Sequence, residues 1–123
     1  MEVIKTNKAP KAIGPYSQAI KAGNMLFISG QLGIDPESGD LKNSIEEQAV
    51  QSFSNIGEIL KAAGCGYNDV CKTTIFLTDL ANFALVNSLY EQFFISNPAR
   101  SCVEVSKLPK GALIECEVIA LSK

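Results

Sequence analysis

The stretch from Leu113 to Leu121 constrains the fold of this chain more than any other. It reads as a strand in which Leu113, Glu115, Glu117, Ile119 and Leu121 share one face, and Ile114, Cys116, Val118 and Ala120 the other. Apart from the two glutamates both faces are apolar, so a sheet built on this strand needs cover on each side. The rest of the chain offers two helices. Ser44-Ile45-Glu46-Glu47 has the spacing of a capping box and opens a helix that Gly64 closes. Ile45, Ala49, Phe53, Ile56, Leu60 and Ala63 recur along it at intervals of three and four, a core-facing stripe. Asp79 or Asn82 caps a second helix that runs to about Phe94, with Val86, Leu89 and Phe93 as its buried stripe and Phe83, Asn87 and Tyr90 on a neighbouring face. Two helices cover one side of one sheet. The expected fold class is therefore α+β, a two-layer sandwich of one mixed sheet with both helices on one face, and the economical cover for the second face is another copy of the chain.

The remaining strands follow from turn chemistry and alternation. Gly23-Asn24 is a hairpin-type turn, and the apolar run that follows, Met25 to Leu32, reads as a strand ending at Ser29-Gly30. A glycine at such an end lets a ligand or another backbone come close. Gly33 to Asp40 is a surface loop punctuated by Pro36 and Gly39. Val70 to Thr78 is rich in β-branched residues, with Thr73, Ile75 and Leu77 on one side and Lys72, Thr74, Phe76 and Thr78 on the other. The opening segment is extended and turn-rich. Its Gly14-Pro15 pair holds Tyr16 in a rigid loop, as a pocket wall or as a half-buried aromatic with its hydroxyl at the surface. With 123 residues, 46% of them hydrophobic, and no linker or repeat, residues 1–123 are expected to form a single domain.

Chemistry concentrates at Pro98-Ala99-Arg100-Ser101-Cys102-Val103-Glu104-Val105. Arg100 is the only arginine beside ten lysines, and the chain has no histidine. It opens a strand to Ser106 in which Arg100, Cys102 and Glu104 share a face. A planar guanidinium matches a carboxylate or phosphate as no lysine does, which points to a small anionic ligand. The alternative is a structural ion pair with Glu104, Glu115 or Glu117. If the strand pairs antiparallel with Leu113–Leu121 across the Pro109–Gly111 turn, Glu115 and Glu117 fall beside Arg100 and Cys102.

The same composition removes whole mechanisms. Without histidine there is no Ser-His-Asp or Cys-His hydrolase and no histidine-based cleavage of RNA. Cys65, Cys71, Cys102 and Cys116 form no Cys-x-x-Cys pair, so zinc is not expected and the four read as free thiols. A net charge of −2 and a pI near 5.1 leave no basic stripe for a nucleic acid. The N-terminal residues carry no apolar signal region and no later stretch is expected to span a bilayer, so the expected location is cytoplasmic.

Several segments together carry a resemblance. Ile13-Gly14-Pro15-Tyr16-Ser17-Gln18-Ala19, Ile28-Ser29-Gly30-Gln31, Gln48 to Asn55, Val70 to Leu80, Val86-Asn87, Tyr90-Glu91 and Pro98 to Val105, in that order, resemble the reactive intermediate deaminase A (RidA) family, also called YjgF. The resemblance implies a chorismate-mutase-like fold assembled as a homotrimer with a site in each cleft between subunits. It implies hydrolysis of 2-imino acids such as 2-iminopropanoate and 2-iminobutanoate to the 2-keto acid and ammonia, with no metal or organic cofactor, which protects pyridoxal-phosphate enzymes from these intermediates. It further implies that Arg100 holds the substrate carboxylate and Glu115 polarises the attacking water. Tyr16, Ser29 and Asn87 would line the pocket, with the backbone of Gly30 and Cys102 close to the ligand. The chain departs from the family pattern at Glu91 to Asn97, which is short, with Asn97 where an aromatic often precedes Pro-Ala-Arg. Two other classes stand beside it: a small-carboxylate sensor with the same pocket and no turnover, and the translation-inhibiting endoribonuclease activity also ascribed to some members, against which the acidic pI and the absent histidine argue.

Overall fold

In the computed structural model, which describes residues 1–122, the capping box forms as its spacing requires. The Glu47 amide donates to Ser44 Oγ at 3.1 Å, and the Ser44 amide donates back to the Glu47 carboxylate at 3.2 Å. A cap of this kind is worth about 1 kcal/mol. It opens helix α1, Ile45–Ala62, which stops where Gly64 takes a φ of +77°. Ala49, Phe53, Ile56 and Leu60 are wholly buried along it. A second helix, α2, spans Phe83–Phe93. Asp79 does not cap it directly but receives the Ala81 amide at the head of a 3-10 turn, Leu80–Asn82, that leads into it. The deepest residues at this end are Val86, Tyr90 and Phe94, whereas Leu89 and Phe93 are only half-buried against the core.

Both helices lie over one face of a six-stranded mixed sheet. Its strands are β1 (Glu2–Ile4), β2 (Ala19–Ala22), β3 (Met25–Leu32), β4 (Val70–Leu77), β5 (Ala99–Glu104) and β6 (Ile114–Leu121), in the order β1-β2-β3-β6-β4-β5. Only β4 and β5 run parallel, as a strand-helix-strand crossover through α2 must. Sequence reading gave no strand at Glu2–Ile4. That short strand pairs with Ala19–Lys21 at the edge of the sheet. It also ended β3 at Ser29-Gly30, whereas the strand continues to Leu32 through a bulge: Ile28 pairs with Val118 and Gln31 with Cys116, so one extra residue sits on the β3 side.

The antiparallel pairing expected between β5 and β6 does not form. β4 lies between them. The strand that is apolar on both faces takes the centre, hydrogen-bonded to β3 and β4, while β5, with Arg100, Ser101 and Glu104, takes the edge where polar groups meet water. On β6, Ile114, Cys116, Val118 and Ala120 are buried beneath the helices.

Among the described residues no helix lies over the opposite face. Its central ladder runs Val3, Ile20, Phe27, Ile119 and Lys72 across five strands. Val3, Phe27, Val103 and Leu121 stand exposed there. Among the described residues no helix is long and apolar enough to cross a membrane.

Candidate active site

Alternation and register decide where each site residue points. Arg100 pairs with Thr73 and Cys102 with Ile75, and residues paired across neighbouring strands share a face. Thr73 and Ile75 are buried under the helices, so Arg100 and Cys102 face the helix layer. Glu115 pairs with Phe76 and Glu117 with Thr74, one residue out of step with Thr73 and Ile75. The two glutamates therefore occupy the uncovered face. Within one chain, the guanidinium and the carboxylates that sequence reading put together lie on opposite sides of the sheet.

The Arg100 half is built by α2 against the edge strand. Arg100 Nη1 donates to Asn87 Oδ1 at 2.6 Å. The guanidinium carbon lies 4.8 Å from the Tyr90 ring centroid and 5.5 Å from that of Phe83. No carboxylate among the described residues pairs with it, because the one salt bridge found joins Lys42 to Asp35. Glu104 accepts instead from the Leu80 amide at 2.9 Å and so ties the end of β5 to the turn before α2. The ion-pair alternative for Arg100 is thus not realised among the described residues. Burial pushes the Cys102 thiol up, against the opposing pull of the Arg100 charge.

The Glu115 half is a groove of about 830 Å³, lined among others by Tyr16, Ser29, Gly30, Leu32 and Glu117. Tyr16 follows a tight turn in which its amide donates to the Gly14 carbonyl at 2.9 Å, with Gly14 at a φ of +114°. The phenol is half exposed at the groove wall. Ser29 Oγ donates to the Ser17 carbonyl at 2.6 Å, which fastens the Tyr16 loop to β3. Gly30 admits a close approach, but what approaches within the chain is neither a ligand nor another backbone: it is the side chain of Glu115. A Cβ at Gly30 would stand 2.6 Å from the Glu115 Oε2. Burial, and then the like charge of Glu117, raise the Glu115 carboxyl above the ordinary glutamate range.

Three residues that position this half escaped the sequence reading because they are polar groups on a core helix. Ser52 Oγ donates to the Gln31 carbonyl at 2.7 Å. Asn55 Nδ2 donates to the carbonyls of Leu32 and Ile34 at 3.2 and 3.0 Å. Gln48 Oε1 accepts from the Leu113 amide at 2.8 Å. They staple α1 to the end of β3 and the start of β6, the segments that carry Gly30 and Glu115. On the other half, Tyr90 and Phe83 were assigned to the same helix face as Asn87, but nothing in the spacing linked them to Arg100. Among the described residues no three metal-ligating side chains come together.

A family model described as Endoribonuclease L-PSP matches residues 6–122. The chain is 52% identical over 121 residues to the human 2-iminobutanoate/2-iminopropanoate deaminase, covering 97% of this chain and 88% of that protein. Among solved structures, E. coli TdcF with bound serine superposes with a TM-score of 0.96 at 42% identity over 100% of both chains. The YjgF gene product of E. coli does so with a TM-score of 0.95 at 45% identity, again over 100% of both. Sheet order, helix pair and these superpositions define a YjgF-like α+β sandwich. The chain belongs to the reactive intermediate deaminase A family, within the endoribonuclease L-PSP group.

Proposed function

We propose that the protein is a 2-iminobutanoate/2-iminopropanoate deaminase, working in the cytoplasm as a homotrimer with its sites between subunits and with no metal or organic cofactor. The observation that carries the reading is an arginine held by an amide and two aromatic faces, with no carboxylate of its own among the described residues. Such a guanidinium is prepared for an external carboxylate. The relatives' names supply its chemistry: the human deaminase acts on imines of 2-oxo acids, and E. coli TdcF is described with bound serine, another small carboxylate.

The split site supports the assembly. Arg100, Asn87 and Cys102 lie on one side of the sheet and Tyr16, Ser29, Gly30 and Glu115 on the other, so a complete site needs two chains. Val3, Phe27, Val103 and Leu121, exposed on the uncovered face, give the second chain an apolar surface to cover. In the completed cleft, Arg100 of one subunit holds the substrate carboxylate. Glu115 of the next takes a proton from water as its oxygen attacks C2 of the iminium. Glu115 returns that proton to the nitrogen of the adduct; the C2–N bond then breaks, ammonia leaves, and the hydroxyl proton passes back to Glu115 as the ketone forms.

A coupled assay with threonine dehydratase tests this directly. Added protein is expected to speed 2-ketobutyrate release and to lower the amount of intermediate that semicarbazide traps. If wild type changes neither yet binds 2-ketobutyrate, the sensor reading takes over. RNA cleavage would support the endoribonuclease reading only if Arg100→Ala abolished it, since cleavage that survives points to a contaminant.

Two predictions concern the Glu115 half. Gly30→Ala puts a methyl where the Glu115 carboxylate sits, but that carboxylate is the free end of a flexible side chain and swings away. The variant is expected to melt near wild type and to lose about 10²-fold in kcat/KM, the scale of a small misplacement. Wild-type kcat/KM would sink that expectation. The second concerns pH. A raised carboxyl pKa means the base form appears only as pH rises through that higher value, so the acid limb of kcat/KM lies above the ordinary glutamate range. Glu117→Gln removes the like charge and is expected to move the limb down. A limb that stays put would detach it from Glu115.

A further inference from the structure

Asn87 gives Arg100 one hydrogen bond, which does not by itself set the plane of a guanidinium. Two aromatic rings flank it, and they are held very differently. Phe83 is 40% exposed at the start of α2, whereas Tyr90 is only 6% exposed. The Tyr90 hydroxyl shares a hydrogen bond of 2.7 Å with Thr73 Oγ1. Its ring stacks on Phe94 with centroids 4.6 Å apart and meets Phe53 edge to face at 5.9 Å. Thr73 is wholly buried and is the register partner of Arg100. The residue that anchors the phenol is therefore the strand neighbour of the cation lying on the ring.

A valine and a phenylalanine would fill this volume with no polar group to satisfy. The two hydroxyls instead bond each other beside the Phe53 and Phe94 rings, which fixes where the Tyr90 ring sits as packing alone would not. We propose that Tyr90, anchored by Thr73, is the positioning residue of Arg100. The locked ring face sets the guanidinium plane, Asn87 engages Nη1, and the opposite edge is turned to the incoming carboxylate. That last use rests on the deaminase reading; the orientation itself does not.

Because Arg100 is the only arginine in the chain, the arginine side-chain signals in a nitrogen-correlated NMR spectrum belong to it without assignment. In wild type the Nη signals are expected to be resolved and shifted by the ring current. Tyr90→Leu is expected to collapse them to solvent-averaged positions and to weaken 2-ketobutyrate binding about tenfold, the scale of a desolvated cation-π contact. Thr73→Val and Tyr90→Phe each remove the anchor and keep the packing, and each is expected to weaken binding by about threefold. The double variant is expected to bind no worse than either, since both changes delete the same bond. In an Arg100→Ala background Tyr90→Leu is expected to have no further effect on binding. An unchanged Arg100 spectrum in Tyr90→Leu overturns the inference, and Thr73→Val decides in the same way if Tyr90→Leu does not fold. Additive losses in the double variant also overturn it. If wild type neither speeds 2-ketobutyrate release nor binds 2-ketobutyrate but the spectrum still collapses in Tyr90→Leu, the deaminase reading falls and the positioning of the guanidinium stands.

Discussion

Arg100→Ala is expected to abolish 2-ketobutyrate binding and to lower imine hydrolysis by about 10²-fold or more, because the anchor that holds C2 against the attacking water is gone. The protein itself is expected to survive. Arg100 is half-buried on an edge strand, makes no ion pair among the described residues, and its removal leaves Asn87 at a partly wetted site. Circular dichroism and melting temperature should stay near wild type, which separates lost chemistry from lost fold. Arg100→Lys keeps a charge without the fork and is expected to fall between the two. Full activity in Arg100→Ala would remove the basis of the proposed mechanism.

Mixing two dead proteins is expected to restore a live one. Arg100→Ala keeps a working Glu115 half and Glu115→Gln a working Arg100 half. If each site takes one half from each of two neighbours, any mixed trimer contains one intact site and one doubly damaged site. Equal amounts unfolded and refolded together should leave roughly three-quarters of trimers mixed, and activity should return to about one quarter of wild type. The rate of imine hydrolysis before and after mixing reads this out. No recovery from a mixture that has demonstrably exchanged subunits would mean that the Arg100 and Glu115 halves do not combine across subunits.

Much of this arrangement is legible in the residues. The capping box, the stripe Ala49-Phe53-Ile56-Leu60 and the glycine stop define α1 through local hydrogen bonding and helical periodicity, and the structure carries all of them. Strand alternation is equally local: Arg100, Cys102 and Glu104 share a face, as do Glu115 and Glu117. Asn87 was legible as a residue sharing a helix face with Phe83 and Tyr90, but its bond to Arg100 was not. The staples from Gln48, Ser52 and Asn55 were not, since their acceptors and donors belong to loops and strand ends far away in the chain.

What the chain determines by itself is therefore each element and the two sides of each strand, because both follow from interactions a few residues apart. Whether Arg100 and Glu115 face the same way depends on which strand stands between theirs and in what register. Those are settled by burial: β6, apolar on both sides, takes the centre, and β5 is left at the edge beyond β4. Order and register together put the cation under the helices and the carboxylate on the open face. No alternation read along either strand alone contains that outcome, because a shift of one residue in pairing reverses every side chain.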